Sequence, residues 1–197
     1  MFKKYAAALL LGGSLASLAF GADTDGNYAI KGAGNTTCKD FLAARSERGQ
    51  RYFLYGGWIE GFLSAANLYE QETFDIVPWQ NTDVLASALA THCKGRERTP
   101  FHIAVSRVMQ SQFPDRLKSR SSIVGMESGG QAVALYAEVL LRVQEKLKGL
   151  GHYAAEPSGV DDSATRAALR SFQVAKGIKA TGLPDQVTLI YLLTGDR

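Results

Sequence analysis

The chain has 197 residues, with 22 Lys and Arg against 19 Asp and Glu, three histidines and two cysteines. A net charge of +3 builds no strong field, so charge alone points to neither nucleic acid nor a membrane surface as partner. The length holds one medium domain or two small ones.

The chain opens MFKKYAAALLLGGSLASLAFGA. Two lysines precede an apolar run, and small residues follow at Ala19 and Gly21, the layout of a secretory signal peptide over residues 1–21. The run is short for a membrane span, so stable membrane insertion is not expected after cleavage near Gly21–Ala22. No Cys sits at the cut, so no lipid anchor is indicated. Twenty basic and nineteen acidic residues then remain. Residues 22–35, rich in Gly, Asp, Asn and Thr, read as a flexible arm.

Cys38 and Cys93 both lie in the exported part. In an oxidising compartment an even pair is most simply a disulfide, and closing so long a loop stabilises by roughly 4 kcal/mol in the chain-entropy model. Two free thiols or a Cys nucleophile are the alternatives. Between the cysteines, Tyr52, Tyr55, Ile59, Phe62, Leu63 and Ala66 recur at helical spacing. Gly57 and Gly61, four apart on another face, imply close approach of a neighbouring helix. Pro78 breaks the pattern. Asn81 or Thr82 caps a helix carrying Val84, Leu85, Ala88 and Leu89. Thr99-Pro100 reads as N-cap and first residue of another, which buries Phe101, Ala104, Val105 and Val108. Residues 36–113 therefore read as a small helical domain. Trp58 reads as core, and Trp79, after a proline in a loop, as a candidate for partner binding.

Residues 114–131 hold one proline, four serines and three glycines and read as a linker. From residue 132 the helical signal returns, with Tyr136, Val139, Leu140, Val143, Leu147 and Leu150 in one stripe. A second helix spans about 163–176, with Ala168, Leu169 and Phe172 buried. A third runs over about 185–193. The expected fold class is all-α, a disulfide-tied bundle followed by a three-helix domain over 132–197.

The last third carries a specific pattern: Gln144, Leu147, Leu150, Gly151, Tyr153, Gly159, Thr165, Ala168, Leu169, Phe172, Gln173, Ile178, Thr181, Gly182, Asp185 and Thr188. It resembles the peptidoglycan-binding domain attached to bacterial cell-wall hydrolases. Physically, Thr165 can satisfy free groups in a first helical turn, Gly182 permits a tight turn after Thr181, and Asp185 suits a helix N-terminus. Gly159, Thr165, Thr181, Gly182, Asp185 and Thr188 thus read as framework. The resemblance implies a shallow groove for wall polymer, with Tyr153, Arg166 and Gln173 as candidate contacts. Asp161 stands where the family pattern has an apolar residue.

Cys38, Gly57, Trp58, Gly61, Phe62 and Cys93 also follow the order found in the Rap/Tai periplasmic immunity proteins of type VI secretion, which the front part resembles. Similar disulfide-tied helical folds occur in periplasmic acid-stress chaperones. No metalloprotease or serine-hydrolase motif and no phosphate-cradling loop occurs, and His92, His102 and His152 are isolated. Neither cofactor nor metal is expected. The reading is a non-catalytic periplasmic protein that tethers an interaction module to peptidoglycan, with a periplasmic or secreted protein as the module's candidate partner. An immunity protein against a wall-degrading toxin, or a wall hydrolase with an unrecognised catalytic front domain, are the alternatives.

Overall fold

The computed structural model describes residues 22–194; the signal-peptide reading lies outside them. Two compact units divide the chain at Ile30. In the first, the described residues make a turn in which the Asp23 carboxylate accepts from the N–H groups of Asp25 and Asn27, at 3.0 and 2.7 Å.

The second unit, Lys31–Arg197, begins with a short 3₁₀ turn, Gly32–Asn35, then helices α1 (Cys38–Glu47), α2 (Gln50–Tyr69), α3 (Thr82–Cys93) and α4 (Phe101–Gln112). Thr37 and Asp40 form a reciprocal capping box that fixes where α1 starts. Asn81 is the cap of α3, accepting from the Val84 N–H. Cys38 and Cys93, both fully buried, are disulfide-bonded and tie the start of α1 to the end of α3. Around them Phe41, Tyr55 and Phe101 pack with ring centroids 4.8–5.3 Å apart. Trp58 stacks on Phe62 at 5.2 Å and donates its indole N–H to the Lys31 carbonyl. The Trp58 ring lies so close to Gly34 that a Cβ there would stand 2.1 Å from it.

Three expectations shift. The segment read as a linker holds strand β1 (Ile123–Ser128), paired antiparallel with β2 (Gln131–Tyr136), so the fold is mostly helical rather than all-α. Its two-residue turn, Gly129-Gly130, has positive φ at both positions, the geometry that matches the twist of a hairpin. The buried face of α3 is Leu85, Ala86, Leu89 and Ala90, with Ala88 exposed. The stretch read as a flexible arm ends in the 3₁₀ turn that Trp58 covers.

Helices α5 (Ala137–Gly149), α6 (Ser163–Ala175) and α7 (Gln186–Leu193) complete the chain. Their core, including Val139, Leu140, Val143, Leu147, Leu169, Phe172 and Leu189, is continuous with Met126 and Leu135 of the hairpin. The hairpin therefore caps the three-helix core instead of swinging between domains. The expected consequence of the Trp58 contact is that Gly34→Ala destabilises by about 1–3 kcal/mol, the range for overpacking, measured by urea unfolding against the parent chain.

Candidate functional site

Two buried glutamines organise the C-terminal part. The Gln144 amide donates to the Val160 carbonyl at 2.9 Å and to Thr165 Oγ1 at 2.8 Å. Its oxygen accepts from the N–H groups of Ser158 and Gly159, at 2.7 and 2.8 Å. Gln173 repeats the device one helix later. Its amide nitrogen lies 2.8–2.9 Å from Thr181 Oγ1, the Leu183 carbonyl and Thr188 Oγ1, and its oxygen accepts from the Gly182 N–H at 2.8 Å. Each glutamine thus pins one glycine turn and the threonine in the first turn of the next helix. A buried amide is tolerated because its donors and acceptors are occupied.

The glycines belong to the same construction. Gly159 has φ +71°, and a Cβ there would meet the Ala137 carbonyl oxygen at 2.6 Å. Gly182 has φ +70° and makes room for the Arg170 side chain, which crosses it. Asp162 caps α6 through the Thr165 N–H at 2.6 Å, and Asp185 caps α7 through the Thr188 N–H at 2.9 Å. Thr165 and Thr188 are both fully buried. The six framework positions therefore lie in two matching networks: Gly159 and Thr165 around Gln144, and Thr181, Gly182, Asp185 and Thr188 around Gln173.

The candidate contact residues separate. Gln173 is wholly buried and Tyr153 only 4% exposed, so neither presents a surface to a polymer; both belong to the interior. Arg166 is at the surface but engaged, holding both Asp161 carboxylate oxygens and the Glu127 carbonyl. Asp161, at the position where an apolar residue was expected, is thus the counter-ion of Arg166, and its hydrogen bonds push the guanidinium pKa up. Trp79 packs against the C-terminal core, and its carbonyl accepts from the Gln186 amide at 2.7 Å. With Asp185 it lines a 620 Å³ groove between the loop before α3, the hairpin and the start of α7.

Sequence reasoning missed a second groove of about 410 Å³, between α5, the end of α6 and α7. Leu150, read as core, is exposed there, as is Tyr191. Glu145 and Lys176 add opposite charges, and the Lys176 ammonium stands 5.7 Å from the centroid of the Phe172 ring. The one legible signal was Tyr191, which falls between the buried Leu189 and Leu192 of α7 and so points outward.

Residues 138–192 match the family model of the peptidoglycan binding domain. The match spans α5 to α7 with both glutamine networks and the 410 Å³ groove, and ends short of the front helices and the hairpin. No curated protein and no solved structure matches the chain.

Replacing Gln173 with Leu orphans the buried Gly182 N–H and leaves Asp185 as the side-chain partner of Thr181 and Thr188. An orphaned buried group costs about 1–3 kcal/mol, and with the lost threonine bonds chemical denaturation should read a loss of roughly 2–5 kcal/mol in total. A pH effect follows from the caps. Asp162 is held below its ordinary value of 3.8 by the Thr165 backbone and side chain. A carboxyl lowered on folding stabilises the fold above its unfolded pKa and loses that contribution as pH falls through the folded value. Asn also caps well but does not titrate. In Asp162→Asn the thermal midpoint should therefore fall less steeply than in the parent between about pH 4 and pH 2.

Proposed function

We propose that the protein is a non-catalytic component of the periplasm that adheres to peptidoglycan through α5–α7 and holds its front helical module at the wall. The observation that carries this reading is the open groove on the matched domain. Its lining suits the ligand: the Tyr191 ring can lie against a sugar face, Lys176 can meet a stem-peptide carboxylate, and Glu145 can accept from amide or amine groups. The binding is noncovalent, and attachment raises the local concentration of whatever the front module engages.

The three histidines lie apart from one another, and none lines the groove. His102 Nδ1 lies 3.2 Å from the Gly34 carbonyl, and His152 Nδ1 lies 2.8 Å from Ser171 Oγ. His92 has its Nε2 buried, and burial lowers its pKa. Each sits in a different part of the fold. Among the described residues no group of three or more His, Cys, Asp or Glu is placed to hold a metal ion.

Sedimentation with purified insoluble peptidoglycan tests the proposal. The chain should pellet with the polymer, and Tyr191→Ala and Lys176→Gln should each release at least several-fold more protein to the supernatant without changing the unfolding midpoint. A chain that stays in the supernatant, or pellets equally well when both groups are replaced, contradicts it.

A further inference from the structure

Helix α2 is apolar on both sides. Its inner side, Tyr55, Ile59 and Leu63, is buried in the front core. On the outside Phe53 is 71% exposed, Leu54 63%, Leu68 73% and Tyr69 80%. So wide an exposed apolar strip on a helix is normally covered. Along it, between these large side chains, lie Gly57, Gly61 and Ala65, with the exposed Glu60 and Ser64 beside them and Glu60 bonded to Thr82. A neighbouring helix was expected against the two glycines, but a Cβ on either would meet nothing within 4 Å. Each glycine costs a helix interior about 1 kcal/mol relative to alanine, and no described residue uses the space that this leaves.

The outer face is also self-complementary. Read toward either end from Gly61, Leu54 and Leu68 stand at equal distances, as do Phe53 and Tyr69, and Gly57 and Ala65. A two-fold axis requires this, since residue i of one copy must meet residue j of the other and the reverse. Charge follows the same rule. Arg51 stands in the first turn of α2 and Glu70 at its end, while Glu72 beyond it is paired with Lys118 at 3.6 Å. An antiparallel pair brings each basic end to the other copy's acidic end, and opposes the helix dipoles. A groove of about 820 Å³ lies beside Phe53, Leu54 and Gly57, walled on its far side by residues 32–37. In the antiparallel register it faces the second copy's Leu68 and Tyr69.

We propose that this face binds a second copy of the chain, in an antiparallel α2–α2 contact centred on Gly61. Phe53 and Leu54 of each copy pack on Leu68 and Tyr69 of the other, and the glycines let the backbones approach. Two aromatic side chains bring roughly 150 Å² each. Even with the leucines and the backbone bared by the glycines, the contact stays below the roughly 800 Å² per partner of a standard interface, the size of a weak association. The pairing is therefore a reversible, concentration-dependent dimer. It does not rest on the wall-binding proposal.

Sedimentation equilibrium of the whole chain over a range of concentrations tests it. The mass of a dimer is expected at high concentration, dissociating on dilution. Gly61→Leu should weaken the dimer at least tenfold while the thermal midpoint of the monomer stays equal or rises, since a Cβ there meets no neighbour among the described residues. Arg51→Glu should also weaken it, and Arg51→Glu combined with Glu70→Arg should restore it. A monomer at every concentration overturns the proposal, including a monomer whose α2 face is taken by some other protein or by a membrane. A dimer indifferent to Gly61→Leu, or one not restored by the exchanged charges, overturns it equally.

Discussion

An amide side chain buried among hydrocarbon is stable only when each of its polar atoms is engaged, and Gln144 and Gln173 meet that condition by reaching across turns rather than along their own helices. Each closes a loop that three short helices could not hold by apolar contact alone, since a unit of this size has a thin core. The demand runs outward from the amide. The oxygen needs a backbone N–H from a turn bent sharply enough to present it, so the turn has a glycine at positive φ. The nitrogen needs an oxygen from the next helix, so a threonine stands in that helix's first turn. The N–H of that threonine needs a cap, so an aspartate precedes it by three residues. One buried amide thereby specifies a turn, a helix start and a cap, and the chain uses the arrangement twice.

A third glutamine extends this logic beyond the domain. Gln186 opens α7, donates to the Trp79 carbonyl and accepts from the Asn81 N–H at 3.1 Å, so the last helix holds the loop that leads into α3. Leu117 exchanges backbone hydrogen bonds with Asp75 at 2.7 and 3.1 Å, and Phe74 meets Tyr136 edge-on at 5.7 Å. The front helices are joined to the C-terminal part by a defined set of contacts rather than by a loose tether. A module fixed in this way presents a constant face when the other part is attached, so the outward side of α2 has one orientation relative to the 410 Å³ groove.

Much of this was legible in the sequence. The helices follow from apolar spacing, the disulfide from the even pair of cysteines, and the C-terminal domain from its Gly, Thr and Asp positions. The role of Gln173 was not. A polar residue in a recognition motif invites assignment to the surface, yet Gln173 shares a helix face with Leu169 and Phe172, and Gln144 shares one with Leu140, Val143 and Leu147. That placement among core positions was the available sign that both point inward. The hairpin was missed because serines and glycines dominate composition in residues 114–131, although Gly129-Gly130 between two apolar-alternating runs is a hairpin signal. The 410 Å³ groove left only Tyr191 as a sign in the sequence, because it depends on how three helix ends meet and not on spacing within any one of them.

Amide hydrogen exchange at Gly159 and Gly182 tests most directly whether the two glutamine networks hold the domain together. Both are turn residues, and a turn amide facing water exchanges quickly. If the buried glutamine oxygens accept from them, both N–H groups should be protected nearly as well as the core amides of α5 and α6, opening only with unfolding of the whole domain. Exchange at the rate of free turn amides, with α5 and α6 still protected, would contradict the account.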